Sequence, residues 1–208
     1  MIRDYLRAIP LFSRNARLIL VSAAITGFSY TGIYMLLMTL LLLRLGYGTE
    51  FIGLFVSSGA LSFAIFSFLA GIAGRRFGSS APMIGGFAVT GLGIGMLSLS
   101  PLIGDEWRSV WLIFFCMFRE LGNSFYMVNS VPALMSATTP RERSYVFSMR
   151  SAMQPMAGVV GSVVGGSLPQ VNAELFGWTL DDPLSYSLAL MLAGLLSLTF
   201  TGFAGLGG

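Results

Sequence analysis

Residues 51–78 read FIGLFVSSGALSFAIFSFLAGIAGRRFG, and the first 24 of them carry no charge. A helix needs about 20 predominantly apolar residues to cross ~30 Å of hydrocarbon. The run therefore predicts a membrane span, closed by Arg75-Arg76 and turned by Gly78. Outward from it, five more apolar runs occupy roughly 18–43, 81–103, 109–135, 145–168 and 184–206, each at least twenty residues long. A soluble domain of 208 residues has no interior large enough to bury six such stretches. The expected fold class is an all-α integral membrane protein with six transmembrane helices.

Composition agrees and removes several functions. The chain is 55% hydrophobic and 10% charged, where a soluble domain carries about 25% charged residues. All twelve basic residues are arginines, spread over short connections. They form no nucleic-acid-binding patch. There is no histidine and one cysteine, Cys116. This excludes metal centres built on His or Cys clusters, His-ligated haem and Ser-His or Cys-His catalysis. The reading is not an enzyme, with no cofactor and no metal. Cys116 reads as a small apolar residue.

The arginines also orient the chain. Arg3, Arg7, Arg14, Arg17, Arg75, Arg76, Arg141, Arg143 and Arg150 fall on one side of the expected spans. The other side holds Arg44 and Arg108 with Glu50, Asp105, Glu106, Glu174, Asp181 and Asp182. An excess of Lys and Arg marks the cytoplasmic face. The expectation is a multi-pass protein of the cytoplasmic (inner) membrane, with both ends of the chain cytoplasmic. Trp107, Trp111 and Trp178 sit where outer interface anchors belong. Residues 1–17 read as a cytoplasmic tail, in which Ile2, Tyr5, Leu6 and Ile9 have the spacing of a short interfacial helix, and 18–208 as one six-span domain. The longest outer connection is expected at 169–183.

A faint internal echo divides the six runs into three plus three. At a shift of 92 residues, Tyr34-Met35 falls on Tyr126-Met127, Glu50 on Glu142, Phe55 on Phe147 and Ala60 on Ala152. This superposes runs one to three on four to six, which cross in opposite senses, as inverted repeats do.

Arg119 and Glu120 are the charges well inside a run. A charge near mid-membrane costs at least ~2.5–3.5 kcal/mol on insertion scales, so it should face protein or a water-filled cavity. Adjacent helical side chains diverge by ~100°, so the two are not expected to form a ready-made ion pair. Arg119, Asn123, Tyr126 and Ser130 are spaced 4, 3 and 4 and form one polar stripe. Their echo is Gly27, Thr31, Tyr34 and Met38. Glu120 is a candidate proton carrier. Arg150 and Gln154 share a face near the inner mouth.

Three junctions carry a family resemblance. Leu43–Leu54 and Thr139–Ser148 resemble the span 1–2 and span 4–5 junctions of the major facilitator superfamily, and Gly71, Arg76 and Gly78 keep their places in its loop 2–3 signature G-x-L-A-D-R-x-G-R-K. Arg75 stands at the Asp position, and Ser79-Ser80 replace Arg-Lys. The resemblance implies that Gly71 lets helices approach closely and Gly78 makes the turn, while the latch built on that Asp is put in doubt. Gly158, Gly161, Gly165 and Gly166 resemble the span 5 element of drug antiporters, with Ser162 at the Pro position. Small residues at this spacing also serve close helix packing. Arg119 with Gly122 resembles the R-x-x-Q-G element, Gly122 standing for Gln and Asn123 for Gly.

The resemblance covers essentially the whole chain and implies the N-terminal half of a secondary transporter, an inverted 3+3 repeat working by alternating access. It further implies that spans 1 and 4 line the central cavity, making Thr31, Tyr34, Arg119, Asn123, Tyr126 and Ser130 substrate candidates. Expected partners are the lipid bilayer, a small-molecule substrate and a C-terminal six-span half or a second copy. The end at Phe203–Gly208 lacks a basic flank, so the chain is expected to be incomplete. The alternative is a complete six-span channel or half-transporter acting as a homodimer.

Overall fold

The computed structural model describes residues 13–205. The expected tail helix around Ile2–Ile9, with Arg3 and Arg7, lies outside the described residues. Six long helices follow one another: α1 Arg14–Arg44, α2 Thr49–Phe77, α3 Ser80–Ser98, α4 Asp105–Ser136, α5 Pro140–Phe176 and α6 Pro183–Gly205. There is no strand among the described residues.

The chain makes its boundaries by recognisable chemistry. The Ser13 hydroxyl caps α1 by accepting the Ala16 N–H at 3.1 Å. Gly78 ends α2 at φ +79° and Gly177 ends α5 at φ +69°, a region that favours glycine. The expected third run is cut short. Its helix stops at Ser98 and a 3₁₀ turn, Ser100–Leu102, carries Pro101. The fifth runs longer, since α5 passes through Pro155 and Pro169 to Phe176. The expected loop at 169–183 therefore shrinks to about Gly177–Asp182, because proline is tolerated inside membrane helices.

By length and composition, three helices among the described residues are apolar enough to cross a membrane: α1, α2 and α3. Pro183–Thr199 in α6 is apolar as well. This corrects the expectation that all six runs are apolar spans of membrane length. No 18-residue stretch of α4 avoids both Arg119 and Glu120, and the first half of α5 holds Arg150, Gln154 and many small residues. Some of these polar groups are taken up by neighbouring helices, as where Arg150 of α5 bonds Ser130 of α4. α2 and α5 both present large apolar side chains outward, with Phe68 and Val163 each 72% exposed. Lipid is the medium that covers such a surface.

In lateral order the helices run α2, α4, α3, α6, α1, α5, each packed on the next. Two apolar clusters form the core. One gathers Leu37, Leu41, Ile94, Leu97, Leu112 and Leu190; the other gathers Ile19, Leu20, Phe87, Tyr126, Leu134 and Val146. A polar layer around Arg119 lies between them.

Polar side chains clamp α2 to α4. The Asn129 amide donates to the Ala70 carbonyl at 3.1 Å and to the Phe125 carbonyl at 3.0 Å. Its Oδ1 occupies the space that a Cβ on Gly74 would need. Close approach here thus depends on Gly74, whereas a Cβ on Gly71 would meet nothing within 4 Å. The packing role expected of Gly71 is corrected to Gly74, one helical turn nearer the end. Asn129→Ala is expected to lower stability by about 0.6–1.7 kcal/mol, the range of interhelical hydrogen bonds in membranes, read as a fall in Tm in detergent. Gly71→Ala should leave the Tm unchanged.

Candidate functional site

The middle of α1 does not keep the α-helical winding. Thr26–Tyr34 is wound as a π-helix, the Met35 N–H reaching back to the Tyr30 carbonyl. Thr-Gly-Phe-Ser-Tyr-Thr-Gly is a run of weak helix formers. Thr26 and Ser29 also bond back to the carbonyls of Ser22 and Ile25, which loosens the regular ladder. Wider turns let α1 meet α5 backbone to backbone. A Cβ on Gly32 would lie 2.5 Å from Gly161 Cα, and one on Gly161 would collide with the Phe28 carbonyl. Gly158 and Gly165 leave room for Thr31 and Ile33, at 3.3 and 3.2 Å from their would-be Cβ atoms. Gly166 is looser, with Leu36 at 3.8 Å.

The π winding also stacks Tyr30 on Tyr34, with ring centroids 5.5 Å apart and planes 9° apart. The Arg119 guanidinium lies 4.4 Å from the Tyr34 ring centre and 5.0 Å from that of Tyr30. At such distances an aromatic face attracts a cation. Arg119 Nη2 donates to Glu120 Oε1 and forms an ion pair with it. The other carboxylate oxygen accepts from Asn123 Nδ2 at 2.8 Å, and Tyr30 Oη donates to Oε1 at 3.4 Å. The side chains are 3% and 12% exposed for Arg119 and Glu120. The expectation that these neighbours do not pair is thereby corrected. Their Cβ directions diverge, but both side chains are long enough to converge, and low polarity rewards them for doing so.

Glycines on adjoining helices make room for this cluster. A Cβ on Gly93 of α3 would sit 2.6 Å from Arg119 Cβ. One on Gly59 of α2 would sit 3.0 Å from Cys116 Sγ and 3.3 Å from Glu120 Cγ. Gly122 lies against α3, where a Cβ would be 2.5 Å from the Thr90 nitrogen. A glutamine at that position would drive α3 and α4 apart.

Tyr30, Tyr34, Arg119, Glu120 and Cys116 line a cavity of about 100 Å³ between α1, α2 and α4. Arg119 Nε and Nη1 are buried without a hydrogen-bond partner. Buried donors are nearly always satisfied; the guanidinium that carries these two meets the Tyr30 and Tyr34 rings instead.

The two expected stripes are brought together only in part. Tyr34 and Arg119 share the cavity wall. Asn123 is buried behind it, holding Glu120. Tyr126 turns away, its hydroxyl 3.3 Å from the Ser22 hydroxyl and its ring 5.2 Å from that of Phe87. Ser130 Oγ accepts from Arg150 Nη2 at 2.7 Å. Thr31 is exposed at the edge of α5. In the loop 2–3 element Arg75 and Arg76 are exposed, and Arg76 lies over the Phe77 ring at 5.4 Å. Tyr30 and Cys116, which the stripe omits, both line the cavity. The i, i+4 pair Tyr30/Tyr34 was the available signal for the first. Among the described residues no cluster of three His, Cys, Asp or Glu is placed to hold a metal.

A buried ion pair, an aromatic cage and a small cavity between membrane helices suit recognition of a solute. Comparison with known proteins points the same way. Residues 104 in number align at 25% identity with the multidrug resistance protein MdtH of Photorhabdus laumondii, covering 50% of this chain and 24% of that protein. The chain thus matches about a quarter of the length of that curated relative. The profile of the Major Facilitator Superfamily matches residues 19–206. With nearly its whole length matched, and with apolar helices enclosing a buried charged site, the chain belongs to the Major Facilitator Superfamily.

Proposed function

We propose that this chain forms one six-helix wall of a secondary transporter of the cytoplasmic membrane, moving a small solute by alternating access. In this reading all six helices cross the bilayer, as two inverted three-helix repeats, and both ends face the cytoplasm. The packing pattern supports the repeat. Advancing each helix by three turns the α2–α4 pair into α5–α1 and α3–α4 into α6–α1, and maps α3–α6 onto itself; all of these pairs pack. Charge placement supports the orientation, since Arg75, Arg76 and Arg143 lie at helix ends opposite Arg44 and Arg108.

The observation that carries the reading is Arg119, a buried cation that lines the cavity and whose Nε and Nη1 have no hydrogen-bond partner. The solute would present a carboxylate or similar acceptor to these donors and an apolar or aromatic face to Tyr30 and Tyr34. Glu120 would take up and release the coupling proton, its negative charge holding Arg119 when no solute is bound. The opposite wall would come from a second six-helix domain or a second copy. The printed name of the relative, a multidrug resistance protein, supports a small organic solute without choosing one.

Arg119→Lys tests this, because it keeps the charge and loses the fork of donors. Benzoate and related small carboxylates should raise the Tm of the purified protein. The lysine variant should weaken that binding about 10- to 150-fold, the worth of a hydrogen bond to a charged group. Equal binding by both proteins would sink the assignment.

A further inference from the structure

A second concavity lies away from the Arg119 cavity. It is a groove of about 410 Å³ between α2, α3 and α4, lined by Phe77, Pro82, Gly85, Val89, Leu121 and Phe125 among others. None of its lining residues is charged, and none offers a polar side chain. It runs from the α2–α3 turn, at Phe77 and Pro82, toward the middle of α4 at Leu121. Gly85 leaves its floor open, since a Cβ there would meet nothing within 4 Å. At the turn end the surface changes character. Arg75 and Arg76 are both exposed, and the Arg76 guanidinium rests on the ring of Phe77, itself a wall of the groove.

We infer that this groove holds an acyl chain of an anionic phospholipid, with the headgroup phosphate at Arg76, and Arg75 adding charge at the same helix end. The occupant is fixed by complementarity at both ends. An uncharged slot without hydrogen-bonding groups, within the depth of the bilayer, suits hydrocarbon and repels polar solutes or peptide backbone. The Arg76 guanidinium on the groove wall, with a second arginine at the same helix end, suits a phosphate, which arginine binds as a bidentate fork. Basic residues at helix ends on the cytoplasmic side attract anionic headgroups at about 1 kcal/mol each. Arg75 adds to this attraction, where an acid at that position would oppose it.

Native mass spectrometry of the full chain, titrated with phosphatidylglycerol and phosphatidylcholine of identical acyl chains, tests the inference. The expected result is roughly a 30-fold preference for phosphatidylglycerol, two arginines at the headgroup attraction above. Arg75→Gln/Arg76→Gln should abolish the preference. Arg14→Gln, exposed but outside the groove, should retain it. Gly85→Leu has room on the surface and should fold with an unchanged Tm, yet reduce retention of both lipids several-fold by filling the slot. Equal retention of the two lipids by the unmodified protein would overturn the inference. So would a preference that survives the double glutamine variant, or lipid retention unaltered by Gly85→Leu.

Discussion

Arg119→Leu lowers the stability of the bundle by about 3–5 kcal/mol, the cost of leaving one member of a buried ion pair alone. The variant strands Glu120, whose side chain is 12% exposed and whose remaining partners, Asn123 and Tyr30, are neutral. A membrane interior offers little else to solvate it. The double variant Arg119→Leu/Glu120→Gln is expected to recover most of the loss, because glutamine keeps an acceptor for Asn123 and carries no charge. It should not recover all of it. The guanidinium's contact with the Tyr34 and Tyr30 rings, at 4.4 and 5.0 Å, is worth a further ~0.5–2 kcal/mol. Thermal unfolding in detergent, run as a double-mutant cycle, measures both terms. Additive losses would show that the two side chains do not interact in the folded protein.

Gly161→Leu is the second large effect. The helix α1 carbonyl of Phe28 already occupies the place of a Cβ, and a Cβ on Gly32 would lie 2.5 Å from Gly161 Cα across the same contact. Any side chain must push α1 and α5 apart, and backbone cannot step aside as a side-chain end can. A cost of about 3 kcal/mol or more is expected, at the upper end of overpacking effects. Gly32→Leu should cost the same, and the pair together little more than either, since one insertion already opens the contact. Gly166→Ala provides the contrast. A Cβ there would meet only a leucine methyl at 3.8 Å, so its stability should stay within about 0.5 kcal/mol of the unmodified protein. A uniform response along the four glycines of α5 would contradict the close approach at Gly161.

These two sites show what reading residues in order can and cannot reach. Apolar length predicted helices at 51–73 and 18–43 because helix propensity and hydropathy are local properties. The glycines of α5 were legible as a packing face for the same reason, their spacing being a one-helix pattern. The expected cavity stripe on α1 was not. It assumed 3.6 residues per turn, whereas Thr26–Tyr34 winds more widely and brings Tyr30 inward while Thr31 turns to the edge of α5. Gly71 was assigned a close contact that Gly74 makes, because only the position of Asn129 on another helix distinguishes the two.

By itself, then, the sequence determined the solvent and the class. Runs of uncharged apolar residues require lipid, arginine-rich connections bias one face, and the matched junctions belong to one transporter family. Tertiary structure alone decided the site. Whether Arg119 pairs with Glu120, rests on two tyrosines and leaves two donors bare depends on groups contributed by α1, α2 and α4 at once. Such contacts join residues 60 to 90 positions apart in the chain. They arise from side-chain reach, helix winding and the absence of a Cβ on facing glycines, none of which is a property of a single segment.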